Sequence, residues 1–121
     1  MYEPGRFGRW GEMIAARYLV QKGYQILERN YRTPRGEIDI IAAKGGVIVF
    51  VEVKSRRGEG FGRPAAAVTW EKQSHIRASA RIYLNRTRQN RCRIRYDVLE
   101  ILAEYGQIRI NHLQNFSHND Y

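Results

Sequence analysis

Apolar and polar positions recur with two different periods along the chain, and the changes of period mark its elements. Over residues 6–22, Phe7, Trp10, Ile14 and Tyr18 return at spacings of three and four, the stripe of an amphipathic helix. Gly23 follows Lys22 where a helix C-cap glycine belongs. Residues 24–33 read as a strand, apolar at Tyr24, Ile26 and Leu27 and polar at Glu28-Arg29-Asn30. Pro34 ends it, because proline cannot donate to a ladder, and Thr33-Pro34-Arg35-Gly36 makes a turn.

Residues 36–54 organise the rest. Two β-rich runs flank Gly45-Gly46, which is a hairpin signal. Val47, Val49, Val51 and Val53 face one side of the second run; Ile48, Phe50, Glu52 and Lys54 face the other. That run is apolar on both faces until its last residues, as a central strand is. With Gly45-Gly46 as a two-residue loop, Lys44 pairs with Val47 and Asp39 pairs with Glu52, their Cβ atoms about 5 Å apart. A four-residue loop over residues 43–46 shifts the register by two and keeps Asp39, Glu52 and Lys54 on one face. A one-residue slip would not.

Residues 55–68 form a long loop with Arg56, Arg57 and Arg63 and with Gly58, Gly60 and Gly62. Phe61 within it either stacks on a base or covers the core. Thr69 suits an N-cap and Glu71 suits the positive end of a helix. Gln73, Ile76, Ala80, Tyr83 and Leu84 share one face of that helix up to about residue 85. A turn and strand start follow, with arginines at 86, 88, 91, 93 and 95, then strands over 96–102 and 108–113. The pattern predicts one α/β domain over residues 1–113 and a polar tail over 114–121. Its order is helix, three strands, helix, two strands: a mixed five-stranded sheet with a main helix on each side.

Composition sharpens the expected partner. The 121 residues carry 21 Lys and Arg against 12 Asp and Glu, a formal charge of +9. That excess points to a polyanion, nucleic acid first and an anionic membrane second. The predominance of Arg over Lys favours phosphate forks; the alternative is a basic but inert surface. Cys92 is the only cysteine, which leaves no disulfide framework and no cysteine zinc site. No apolar run approaches the roughly 20 residues that span a bilayer, and Met1-Tyr2-Glu3-Pro4-Gly5 lacks a signal-peptide pattern. A cytoplasmic protein with no membrane partner is expected.

Two facing carboxylates on a half-buried sheet repel each other, and a cation must offset them. Hard oxygen ligands suit Mg²⁺ or Mn²⁺ better than Zn²⁺. An ammonium beside them can position a water and stabilise charge on a phosphate in flight. Asp39 with Glu52 and Lys54 is thus a candidate hydrolytic centre for phosphodiesters. The plainer reading of Glu-x-Lys is a solvated strand face with a weak ion pair.

Asp39 followed by Val51-Glu52-Val53-Lys54 resembles the PD-(D/E)XK motif of restriction-endonuclease-like nucleases. Gly36-Glu37-Ile38-Asp39-Ile40-Ile41-Ala42 with Phe50-Val51-Glu52-Val53-Lys54-Ser55-Arg56 is closer still to the YraN-like family of predicted endonucleases, similar to archaeal Holliday-junction resolvases. The resemblance runs from about residue 8 to residue 101. The proline that precedes the aspartate in the motif is Ile38 here, and many members of the superfamily lack it.

The resemblance implies a restriction-endonuclease-like core and a Mg²⁺ (or Mn²⁺)-dependent DNA endonuclease, with branched or structured DNA as substrate. Asp39 and Glu52 would hold the metal and Lys54 would orient the attacking water. Glu12 matches the helical glutamate that assists the metal in resolvase-like nucleases; its other reading is a surface glutamate paired with Arg9. Gln73 matches the glutamine on the helix after Glu-x-Lys; its other reading is a stripe-edge residue half in water. Arg56, Arg57, Arg63, Arg86, Arg88 and Arg91 would bind the phosphate backbone. Resolvases pair to address two strands, which makes a homodimer possible, although no exposed apolar seam is legible. Two other readings stand beside the nuclease: a non-catalytic DNA- or RNA-binding protein with a relic nuclease fold, and a ribosome-associated factor.

Overall fold

The computed structural model describes residues 5–58, 70–89 and 91–115. Helix α1 (Arg6–Gln21) leads into strands β1 (Gln25–Thr33), β2 (Gly36–Lys44) and β3 (Val47–Arg57). Helix α2 (Trp70–Arg86) and strands β4 (Arg93–Glu104) and β5 (Gln107–Leu113) follow. The five strands lie in one sheet in sequence order. Neighbours are antiparallel except β3 and β4, which run parallel because α2 carries the chain back between them. The expected order and the mixed sheet with two helices are therefore observed.

The β2–β3 register is set by the turn. Gly45 and Gly46 have φ of 59° and 80°, as a type I′ hairpin needs at both positions, and Lys44 pairs with Val47. Each face of β3 then buries its own cluster. Val49, Val51 and Val53 pack with Ala15 and Leu19 of α1 and with Leu99 and Ile101 of β4. Ile48 and Phe50 pack with Ala80 and Tyr83 of α2 and with Ile41. The expected division of β3 into two faces is the one the core uses.

Several expectations need correction. The apolar stripe of α1 is not its contact line: Gly11, Ala15 and Leu19 are buried, while Trp10, Ile14 and Tyr18 pack partly buried against that cluster. Small residues sit at the closest approach, and large ones cover its flanks. β3 continues three residues past Lys54, so Ser55, Arg56 and Arg57 are strand, paired with Ile101, Leu102 and Ala103 of β4. β4 begins at Arg93, earlier than expected. Phe61, Arg63, the Thr69 cap and residues 116–121 lie outside the described residues.

The burial of α1 brings its backbone onto β3. A Cβ at Gly11 would lie 1.7 Å from Ser55 Oγ and 3.0 Å from Ser55 Cβ. The Ser55 hydroxyl is itself buried with no hydrogen-bond partner. Beyond it, a polar network ties the same helix to β4 and β5. Asp97 takes Arg95 Nε at 2.9 Å, His112 Nε2 at 2.7 Å and the Asn115 amide at 2.8 Å. Tyr18 Oη lies 3.0 Å from His112 Nδ1, and Arg95 Nη2 donates to Tyr24 Oη at 2.6 Å. Burial opposes the charge of Asp97, but His112, Arg95 and the amide together hold its carboxyl below the ordinary carboxylate range.

Gly11→Ala is expected to destabilise the fold by about 1–2 kcal/mol, since overpacking outweighs the gain in helix propensity. Gly8→Ala, with open space around the new methyl, should be neutral or stabilising. Ser55→Ala should cost nothing, because it removes an unsatisfied hydroxyl. Urea midpoints of the three variants check this ranking.

Candidate functional site

The site forms where β2 and β3 part. Their ladder runs from Lys44↔Val47 to Ile40↔Val51 and then stops. The next pair in that register would be Asp39 with Glu52; the ladder does not include it, which corrects the expected cross-strand pair. On the other side of β2, the β1 ladder likewise skips Asn30, whose φ is 53°. The alternation of faces breaks at the same place. Ile38 packs in the α2-side cluster with Ile41, whereas Ile40 packs on the α1 side. Asp39, between them, turns toward β3: its Oδ2 accepts the Val53 N–H at 2.8 Å. The carboxylate thus stands in for a backbone acceptor at the mouth of the fork.

Glu52 and Lys54 share a face of β3 as expected, with Lys54 Nζ 3.8 Å from Glu52 Oε2. Glu52 is 5% exposed, so its charge requires a partner. The nearer one was not foreseen: Lys72 Nζ of α2 lies 2.9 Å from the same oxygen. A signal for it exists in the sequence. Lys72 is the third residue of α2, where the helix macrodipole disfavours a cation. A lysine placed there gains from an acid close by. Burial works against its charge, but Glu52 and then Asp39 outweigh it and hold the ammonium above its ordinary range.

Burial is the main reason that the Asp39 carboxyl is pushed up, to about 7, and the charge of Glu52 adds to it. The Val53 amide and Lys72 offset part of this, while Glu12 raises it further. Glu12 reaches the rim of the site from α1. Its carboxyl is raised by burial and by Glu37, lowered by Arg29 and by a hydrogen bond with Asn30, and raised again by Glu52. Glu37 itself pairs with Arg32 at 3.6 Å. Gln73 is buried, 7% exposed, beside Lys72 in the first turns of α2. Among the described residues, no three His, Cys, Asp or Glu side chains form a ready metal cluster. The two carboxylates closest to the fork are Asp39 and Glu52, with Glu12 acting on them by charge from outside.

The basic residues divide into two groups. Arg56 donates from Nε to Glu100 at 2.8 Å, and Glu100 is 2% exposed, so this guanidinium neutralises a buried acid of β4. That placement corrects its reading as a phosphate ligand. Arg57 is exposed at the end of β3, its guanidinium 4.3 Å from the centre of the Phe7 ring. Arg86, Arg88 and Arg91 are exposed; Arg86 ends α2 at the far end from Lys72, and Arg88 and Arg91 follow it. Arg86 donates to Tyr31 Oη at 3.2 Å. Arg93 pairs with Val47, seven strand residues before Lys54, which is about 23 Å at the rise of a strand.

Asp39 makes stability depend on pH in a definite direction. Its folded pKa lies above the ordinary 3.8, at about 7, so between those values the folded protein binds more protons than the unfolded chain. Stability contributed by this group falls as pH rises through that window. Asp39→Asn keeps an acceptor for the Val53 amide and removes the titration. Urea midpoints at pH 5 and pH 8 should fall less for the variant than for the wild type. An equal fall in both would show that Asp39 ionises in its ordinary range.

Many proteins match most of this chain over most of their own length. A family model described as "Uncharacterised protein family UPF0102" matches residues 11–101, a span that contains Glu12, Asp39, Glu52, Lys54, Lys72 and Gln73. A UPF0102 protein of Syntrophomonas wolfei is 48% identical over 108 residues, covering 89% of this chain and 94% of the relative. One from Rhodococcus opacus is 47% identical over 109 residues, covering 89% and 92%. One from Alkaliphilus oremlandii is 46% identical over 112 residues, covering 91% and 96%. By this match, the chain belongs to the uncharacterised protein family UPF0102.

Proposed function

We propose that this protein is a divalent-metal-dependent nuclease that hydrolyses phosphodiester bonds in DNA, built on a restriction-endonuclease-like core. The observation that carries the reading is the meeting of two acids and two ammonium groups at one fork of the sheet. Asp39 and Glu52 raise each other's need for positive charge, and Lys54 and Lys72 both approach Glu52. The sequence motif Asp39…Glu52-x-Lys54 independently resembles a nuclease centre.

The donor set fits magnesium or manganese. Both ions prefer hard oxygen ligands, and magnesium commonly needs only one or two carboxylates because it keeps several waters. Asp39 and Glu52 would hold the ion, with Glu12 assisting from the rim. Bound there, it would supply Lewis-acid polarisation of a phosphate oxygen and ease the deprotonation of the attacking water. Lys54 orients that water and stabilises charge on the pentavalent phosphate. Lys72 adds a second positive group to the same face. Gln73 supports the water or Lys54 from the buried side of α2.

Binding rests on the charge of the rest of the molecule. The net charge is +9, and at the fork Lys54 and Lys72 are already paired with Glu52, so phosphate attraction comes mainly from outside it. Arg57 at one end of β3 and Arg86, Arg88 and Arg91 at the other are the exposed groups that would track a backbone. Contacts of this kind are independent of sequence and weaken with salt.

Cleavage of linear duplex, branched and single-stranded DNA in Mg²⁺ tests the proposal. Cleavage should require the metal. Asp39→Ala, Glu52→Ala and Lys54→Ala should each lower the rate by about 10²-fold or more, with Lys72→Met losing less. Unchanged rates in the first three variants would reject the site. One observation favours a second reading: Lys72 already sits on Glu52 where a metal would be expected to act. Salt-sensitive DNA binding without cleavage of any substrate would establish that reading, a binding protein with a relic centre. A preference for RNA of the same shape would move the partner to RNA.

A further inference from the structure

A second concave surface opens at the same end of the sheet, across the first turn of α1 from the carboxylates. Arg6, Phe7 and Trp10 line one side of it, and Arg57 and the β4–β5 turn line the other, around about 790 Å³. That volume is ample for one nucleotide or a small ligand. Phe7 and Trp10 are stacked, with ring centres 5.2 Å apart and planes 16° from parallel. The Arg57 guanidinium lies 4.3 Å from the Phe7 ring centre. Among the described residues, Glu104 is the one acid on the lining, and Arg109 approaches it to 3.5 Å. Arg6 and Arg57 therefore leave the groove with positive charge beside an aromatic ledge.

We infer that this groove binds one unpaired nucleotide of a single-stranded segment, its base laid against Trp10, which Phe7 backs as a stacked partner, and its phosphates on Arg6 and Arg57. The chemistry selects this occupant. An aromatic ledge binds any base through its π-face, and arginine beside it serves both the base and the backbone. A base inside a duplex has both faces covered by its neighbours and cannot use the ledge. An acidic peptide would use the arginines and leave the rings idle.

The place of the groove gives it a use, and for that use the inference rests on the proposed nuclease reading. Arg57 follows Lys54 by three strand residues, about 10 Å. Their side chains lie on opposite faces of β3, Lys54 toward α2 and Arg57 toward α1. A strand that touches both must pass over the end of β3. Ten ångströms is about three stacked nucleotide rises. The substrate class is then nucleic acid with an unpaired segment within a few nucleotides of the cut, such as a flap, a loop or a single strand.

The test measures binding and cleavage separately, with an oligothymidylate and a duplex of equal length followed by fluorescence anisotropy. Trp10→Ala should weaken oligothymidylate binding about tenfold or more and leave duplex binding within about twofold. Trp10→Phe should restore most of the loss, which separates stacking from a folding defect, because Trp10 also packs against the core. Arg57→Gln should weaken single-strand binding as well. Equal losses for both ligands, or none, would overturn the groove assignment. So would a Trp10-dependent self-association unaffected by the oligonucleotide, which would give the groove to a second copy of this chain. If the groove variants behave as expected and no substrate is cut, the groove stands and hydrolysis fails; the reverse pattern keeps hydrolysis and rejects the groove.

Discussion

Two carboxylates share one fork of the sheet, and the surrounding structure is arranged to make that tolerable. A buried acid costs several kcal/mol unless it is paired or hydrogen-bonded. Asp39 has a backbone amide, and Glu52 has the ammonium groups of Lys72 and Lys54. None of these partners comes from the cross-strand ladder. They become available because β2 leaves β3 after Ile40↔Val51, freeing the Val53 amide, and because α2 returns over the same end of the sheet. The residual imbalance stays visible in Asp39, whose carboxyl holds its proton up to about neutrality.

Close approach of both helices depends on missing side chains. α1 reaches β3 through Gly11, where a methyl group would collide with Ser55. α2 crosses the start of β2 at Gly36, where a Cβ would lie 3.2 Å from His75 Cβ and 3.4 Å from Ser79 Oγ. Thr33 fixes that crossing, since its hydroxyl lies 2.8 Å from Ser79 Oγ and takes the Gly36 amide at 3.1 Å. Two contacts of this kind place Glu12 and Lys72 on opposite sides of one fork. The hydrophobic clusters supply the bulk of the burial, but the small residues decide how near the charged groups come.

Much of this was legible in the sequence, and the failures have physical causes. Gly45-Gly46 specified its turn and the turn specified the register, while the two-residue period of β3 put Glu52 and Lys54 on one face. The fork was not legible, because a break in face alternation at Asp39 leaves no periodic trace when the residues on both sides are isoleucines. The α1 stripe misled because periodicity weighs size, while the closest contacts are made by Gly11 and Ala15. Arg56 read as a phosphate ligand because its partner, Glu100, is remote in sequence and becomes its neighbour only through the parallel β3–β4 pairing. Lys72 has no place in the motif, although its position in the first turn of α2 runs against the dipole.

The count of arginines overstates the positive charge that faces outward. Arg95 and Arg56 are committed to Asp97 and Glu100, two buried acids three residues apart on β4. At the fork the ammonium groups of Lys54 and Lys72 are likewise committed, to Glu52. A polyanion would therefore be gripped through the exposed arginines outside the fork. The N-terminal half of α1 lies between the two environments, presenting Glu12 to the fork and Phe7 and Trp10 to the groove. Its position is set by Gly11 on Ser55, so a shift at that single contact alters both sides together.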